Sequence, residues 1–236
     1  MKNVLVTGSS KGIGKVISEE LSKDYNVYGV ARSEDLLKNL PLNGYCVCDL
    51  SKKDDLNILK NFIKEKNIDI LINNAGEYIY EPIDNLSLEQ ISEICMINSI
   101  APMFLISAVV SNMKKNKWGR IINIGSISGV MGEANASAYS ATKASLIGLS
   151  KAVALELACN NITVNTINPG WVDTELGENS IDQSEFSKEE IIECVPQKRF
   201  VEPVEIANLV KYLISDEAKG ITGQSINLCA GLSVGF

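Results

Sequence analysis

The chain has 236 residues, a formal net charge of −7, six cysteines and no histidine. Its length suits one α/β domain with a substantial core, and its acidic balance repels polyphosphate backbones and anionic membranes, so neither nucleic acid nor a membrane is an expected partner. The cysteines at 46, 48, 95, 159, 194 and 229 contain no C-x-x-C pair, so zinc clusters of the usual kinds, histidine proton relays and Cys-His nucleophiles are largely or wholly excluded and no metal is expected.

Short apolar runs alternate with longer amphipathic segments from end to end. The pattern predicts strands near 3–7, 26–30, 44–48, 68–72, 119–124, 162–167 and 225–229. Helices are predicted over 12–23, 52–66, 87–114, 138–159 and 202–214, with a weaker pattern in 184–194; the segment 87–114 is long enough to bend or divide. Right-handed βαβ connections then give a single Rossmann-type domain over 1–236, a doubly wound parallel sheet of about seven strands with helices on both faces. Sites belong at the carboxyl ends of such strands. The polar, strandless stretch 170–197 reads either as an excursion covering the site or as a surface loop. The opening M-K-N-V-L-V reaches a glycine turn too soon for a signal peptide, and no stretch approaches a membrane span in apolar length, so a soluble, reduced, cytoplasmic protein is expected. The basic run Lys114, Lys115, Lys117 and Arg120 reads as a solvated helix end, with docking of an acidic carrier protein left open.

The first strand runs into T-G-S-S-K-G-I-G at 7–14, after which a helix begins. Such a turn lets backbone amides approach a pyrophosphate at a helix N-terminus, which makes Gly8, Ser10, Lys11, Gly12, Ile13 and Gly14 cofactor-binding candidates. Its spacing, G-x-x-x-G-x-G, is not the commonest dinucleotide fingerprint; its place between strand and helix strengthens it. At the end of the second strand, where an acidic residue would select NAD, stand Ala31 and Arg32. Arg32, with Lys11, suits a 2'-phosphate and points to NADP(H), unless both cations merely face solvent. Asp49, followed by Leu50, is placed either to meet the adenine or to cap the next helix. After the fourth strand, Asn74, Ala75 and Gly76 allow the chain to pass beside a cofactor.

Tyr139 and Lys143 lie one helical turn apart, so the ammonium is expected to lower the phenol's pKa and ready it as a proton donor. Ser126, at the end of an apolar strand, can hold a carbonyl oxygen, and Asn98 can support the helix backbone or a water leading to Lys143. Alone, each has an ordinary structural role. Together they form the equipment for reducing a ketone by hydride transfer.

These motifs, with N-N-A-G at 73–76, Y-S-A-T-K at 139–143 and N-P-G-W-V-D-T at 168–174, resemble the short-chain dehydrogenase/reductase family over essentially the whole chain. The resemblance implies a catalytic tetrad of Asn98, Ser126, Tyr139 and Lys143, a nicotinamide pocket lined by Pro169, Gly170 and Val172, and Thr174 at the carboxamide or phosphates. It also implies a homotetramer or homodimer built partly through the two long helices. Within the family, G-V-M-G at 129–132, V-P-Q-K-R-F-V-E-P-V-E-I-A at 195–207 and S-D-E-A-K-G-I-T-G-Q at 215–224 are similar to the 3-oxoacyl-[acyl-carrier-protein] reductases, although Cys229 stands where an acidic residue is common. The implied reaction is NADPH-dependent reduction of a 3-oxoacyl thioester carried by acyl carrier protein. The alternatives are a dehydrogenase of another small, sugar-like or steroid alcohol, and a non-catalytic cofactor-binding sensor or scaffold.

Overall fold

A computed structural model describes residues 1–183 and 186–234, the side chains of Asn179 and Gln183 apart. Its strands are β1 (Asn3–Thr7), β2 (Asn26–Ala31), β3 (Gly44–Val47), β4 (Ile70–Asn73), β5 (Gly119–Ile124), β6 (Ile162–Pro169) and β7 (Ser225–Leu228). They form one sheet in the order β3-β2-β1-β4-β5-β6-β7, and every pairing is parallel. The helices are α1 (Gly12–Leu21), α2 (Glu34–Lys38), α3 (Lys53–Lys66), α4 (Leu88–Cys95), α5 (Ala101–Asn116), α6 (Ser128–Met131), α7 (Ser137–Leu157), α8 (Glu175–Gln183), α9 (Lys188–Cys194) and α10 (Pro203–Ile214).

Side chains of a strand alternate between faces, and the sheet sorts its residues accordingly. Val4, Val6, Ile70, Ile72 and Ile122 meet Ile17, Leu21, Ile206 and Val210 on the α1 and α10 side. Leu5, Leu71, Ile121 and Val164 meet Leu59, Ile63, Leu105, Val109 and Leu157 on the α3, α5 and α7 side. Both faces are therefore apolar, which is why the central strands read as continuous hydrophobic runs rather than alternating ones. A polar chain crosses this interior: Asn73 Nδ2 donates to Asn123 Oδ1 at 2.8 Å, Asn123 Nδ2 to Ser150 Oγ at 2.8 Å, and Ser150 and Thr166 hydroxyls lie 2.7 Å apart. It ties α7 to β5 and β6. Strand order reverses between β1 and β4, so the crevice above their carboxyl ends is the place where such sheets take ligands.

Segment 87–114 divides. Between α4 and α5 lies a π-helical turn, Met96–Ile100, in which the Ala101 N–H bonds to the carbonyl of Met96 five residues back. Pro102 follows at once; lacking an N–H, it leaves the preceding turn free of the ordinary ladder. The whole run Leu88–Asn116 is, contrary to the sequence expectation, long and apolar enough by composition to cross a membrane. Here it packs on the sheet, with half of its apolar window buried.

Stretch 170–197 is less irregular than its composition predicts. It carries α8 and α9, a parallel bridge between Val172 and Val201, and a small core of Ile181, Ile191 and Phe200. Of the basic run, Lys114, Lys115 and Lys117 are exposed at a helix end as expected, and Arg120 is the exception. Lys114 and Lys115 lie in the last turn of α5, and Lys117 follows it, beside the amino end of β5 and therefore away from the carboxyl-end crevice. Arg120 is fully buried: its guanidinium donates to the carbonyls of Gly119 and Asn161 and to Asp216 Oδ1 at 2.9 Å, with the Trp118 ring 4.4 Å away. A buried guanidinium with these partners is a strut between β5 and the segment after α10.

Candidate active site

Above the carboxyl ends of β1, β2, β4, β5 and β6 opens a cleft of about 770 Å³. Its nucleotide end is shaped by the turn after β1. Gly8 has φ +66° there, and a Cβ would come within 2.9 Å of Ala75 Cα. At Gly14 a Cβ would stand 2.2 Å from the Gly8 carbonyl oxygen and 2.4 Å from Asn74 Nδ2. The turn is pinned from β4: Asn74 Nδ2 donates to the Thr7 carbonyl at 2.9 Å, and the amides of Asn74 and Ala75 both donate to Thr7 Oγ1 at 3.0 Å. α1 begins with no side-chain cap and no acidic residue in its first turn, so its terminal amides face the cleft uncompensated. That is a cradle for an anion such as a pyrophosphate. Gly14→Ala is expected to cost about 1–3 kcal/mol of stability through overpacking. A drop in thermal midpoint together with weaker NADPH binding, followed by nucleotide fluorescence, checks it; unchanged binding would detach this turn from the nucleotide.

Farther out, Arg32 is exposed at the rim and makes no hydrogen bond or ion pair among the described residues. Lys11 differs, with its Nζ 3.0 Å from both carboxylate oxygens of Glu175 at the start of α8. Asp49 Oδ1 accepts from the Ser51 amide at 3.0 Å and the Ser51 hydroxyl at 2.8 Å. Burial opposes its ionisation, yet the Ser51 bonds, with Lys52 and Arg32, hold its carboxyl below the usual value. Lys52, not Asp49, is the cap residue of α3. Burial raises the carboxyl of Glu77, whose Oε2 is buried without a hydrogen-bond partner and whose residue lines the cleft.

At the other end, β5 carries Ser126 to the rim and α7 presents Tyr139 and Lys143 to the same wall. Lys143 is 4% exposed, its Nζ donates to the Ile124 carbonyl at 3.0 Å, and it lies 5.7 Å from the centre of the Tyr139 ring. Asn98, 1% exposed on the π turn, sits beneath the wall rather than in it. Its Oδ1 accepts from the Glu77 amide at 2.8 Å, and its Nδ2 donates to the Glu77 carbonyl at 2.9 Å and to Thr142 Oγ1 at 3.1 Å. Thus it clamps the segment after β4 onto α7, bonding the backbone of that segment and not that of its own helix.

The electrostatics depart from expectation. Burial pushes the Tyr139 phenol up to about 12; the Ser126 hydroxyl pulls it down and Glu133 adds to the rise. Burial also pulls the Lys143 ammonium down to about 8. The predicted lowering of the phenol by the ammonium is not present in this arrangement, because Nζ is spent on the Ile124 carbonyl and itself disfavours charge.

The cleft is lined by Gly8, Ser10, Lys11, Gly12, Ile13, Arg32, Asp49, Leu50, Asn74, Ala75, Gly76, Ser126, Tyr139, Lys143, Pro169, Gly170, Val172 and Thr174. Gly14 and Asn98 are outside the lining and act through their neighbours. Sequence reasoning passed over Tyr78, Ser128, Glu133 and Trp171, which also line it. Tyr78 sits edge-on to Tyr139 with ring centres 4.9 Å apart, and its hydroxyl donates to Glu133 Oε1 at 2.7 Å. Burial, then that bond, pushes the Tyr78 phenol well above its ordinary value. Aromatic residues directly after N-N-A-G were a usable signal for Tyr78; nothing local marks Glu133.

A family model described as short chain dehydrogenase matches residues 2–185. A 3-oxoacyl-[acyl-carrier-protein] reductase of Buchnera aphidicola is 36% identical over 239 residues, covering 98% of this chain and 97% of the relative. Among solved structures, a variant of an actinorhodin polyketide ketoreductase with NADPH is 33% identical with a TM-score of 0.92, covering 99% of this chain and 97% of that one. A 4-hydroxyisoleucine dehydrogenase complexed with NADH is 31% identical with a TM-score of 0.91, each chain covered in full. With its parallel sheet, glycine turn and Ser-Tyr-Lys wall, the chain belongs to the short-chain dehydrogenase family of NAD(P)-dependent oxidoreductases.

Proposed function

We propose that this protein reduces a ketone to a secondary alcohol with NADPH, and that the ketone is a 3-oxoacyl thioester. The observation that carries the reading is the placement of Ser126, Tyr139 and Lys143 on one wall of a cleft whose other end is an uncapped helix N-terminus behind a glycine turn. The cleft's glycine turn and helix N-terminus would hold the nicotinamide nucleotide, whose chemistry when bound would be hydride donation to the carbonyl carbon. Ser126 Oγ holds the carbonyl oxygen, and the Tyr139 hydroxyl gives that oxygen its proton. Lys143 orients ligand hydroxyls from beneath and restores the proton to the phenol; Asn98 keeps α7 in place. Trp171, Leu176, Phe186 and Ile191 supply an apolar wall from the stretch 170–197, which in this reading covers the substrate. The thioester assignment is supported by the relatives, which are 3-oxoacyl-[acyl-carrier-protein] reductases at 36% and 37% identity. A cytoplasmic homotetramer or homodimer that takes its substrate from acyl carrier protein completes the proposal; carrier docking does not use Lys114–Lys117, which lie at the other end of the sheet.

Purified protein is expected to oxidise NADPH when given an acetoacetyl thioester. Turnover confined to an unrelated alcohol or sterol would remove the thioester and keep the enzyme class.

NADPH preference rests on Arg32, the cation left unpaired at the nucleotide rim, since Lys11 is engaged by Glu175. Arg32→Asp is expected to weaken NADPH binding by about thirtyfold or more while changing NADH binding by less than about threefold. Equal losses for both nucleotides in a binding titration would refute the phosphate contact.

A further inference from the structure

The substrate end of the cleft holds a fixed carboxylate. Glu133 Oε2 accepts from Ser128 Oγ at 2.6 Å and its Oε1 accepts from Tyr78 at 2.7 Å. Ser128 Oγ in turn accepts from Ser126 Oγ at 3.2 Å, and the Ser128 amide donates to Ser126 Oγ at 3.1 Å. The carboxylate therefore stands one hydroxyl away from Ser126 and, through Tyr78, directly behind Tyr139. Two short charge-assisted bonds from different elements, α6 and the segment after β4, keep it from swinging into water.

Among the described residues, no cation lining the substrate side of the cleft balances it. The basic residues lining the cleft among those described are Lys11 and Arg32, at the nucleotide end, and Lys143, which lies beneath the phenol on the Ile124 carbonyl. Trp171, Leu176 and Ile191 add apolar surface to the lining, and Trp171 is stacked on Phe200 with ring centres 6.1 Å apart. A second carboxylate brought into this half of the cleft meets a like charge, with no cation among the described lining residues there to offset it.

Resting on the proposed placement of the carbonyl oxygen at Ser126, we infer that Glu133 is a specificity-determining residue that excludes ketones bearing a free carboxylate beside the reacting centre and admits the neutral ester, thioester or amide of the same skeleton. It makes the enzyme a reductase of acyl derivatives and not of oxo acids.

The test compares kcat/KM for ethyl acetoacetate and acetoacetate, with NADPH, in the wild type, Glu133→Gln and Tyr78→Phe. The wild type is expected to favour the ester by about tenfold or more. Glu133→Gln, which keeps the size and loses the charge, is expected to lower the ester-to-acid ratio about tenfold. Tyr78→Phe removes one of the two donors that hold the carboxylate but keeps its charge, so its ester-to-acid ratio is expected to lie between those of the wild type and Glu133→Gln. An ester-to-acid ratio in Glu133→Gln within twofold of the wild type overturns the inference. If Glu133→Gln folds poorly, the wild type answers alone: 3-hydroxybutyrate should inhibit at least about tenfold more weakly than its methyl ester, and equal inhibition overturns the inference. If thioesters fail as substrates and another ketone succeeds, the substrate reading falls, and the same ratio is measured on the neutral and carboxylated forms of that ketone.

Discussion

Tyr139→Phe is expected to lower turnover by about a thousandfold or more while leaving NADPH affinity and thermal midpoint close to those of the wild type. The ring keeps its edge-on contact with Tyr78 at 4.9 Å, so packing is conserved and only the hydroxyl is lost. With the phenol pushed up to about 12, the proton is in place throughout the neutral range. Ketone reduction by the wild type should therefore vary little between about pH 6 and 8 and fall above that as Lys143 loses the proton it passes to the phenol, whereas alcohol oxidation, which needs the phenolate, should climb with pH. Steady-state rates in both directions decide the matter. A loss smaller than tenfold in Tyr139→Phe would give the proton donation to another group.

Lys143→Met should separate activity from stability. Turnover is expected to fall about a hundredfold or more, since the cation that recharges the phenol is gone. Stability should move the other way. An ammonium lowered on folding from 10.5 to about 8 binds fewer protons in the folded chain than in the unfolded one between those values. Its charge thus works against folding below about pH 8, and the folded state gains as pH rises from there toward 10.5. Methionine removes that opposition but orphans the Ile124 carbonyl, for a net gain of about 1–2 kcal/mol at pH 7. Denaturant titrations of both proteins at several pH values check this, and the variant's advantage should shrink above about pH 8. A variant less stable than the wild type at pH 7 would mean that the ammonium is not strained by burial.

The sheet was legible because its strands are buried on both faces, and such strands announce themselves as short runs like V-L-V, I-L-I and I-I-N-I. Gly8, Gly14, Ser126, Tyr139 and Lys143 were legible because each stands at a fixed distance from a strand end or one helical turn from its partner. Contacts between distant segments left no such mark. Lys11 and Glu175 are 164 positions apart, and their ion pair alters the expected phosphate site without any local pattern. Tyr78, Ser128 and Glu133 meet from loops and a single helical turn, where there is no period to read. α8 was missed because Glu175, Gly177, Glu178 and Ser180 read as a polar loop, while Ile181, its one buried apolar residue among those described, anchors it. The division of segment 87–114 did have a signal, Pro102, whose missing amide forbids an uninterrupted ladder.

That division fixes an angular phase. The π turn holds one more residue per revolution than the helices it joins, so α4 and α5 are offset by about 100° from a continuous helix. Deleting a single residue between Met96 and Ile100 would restore continuity and rotate the amide of Asn98 away from Glu77 and Thr142, leaving the floor beneath the phenol unbraced although every residue of the reacting wall remained in the chain.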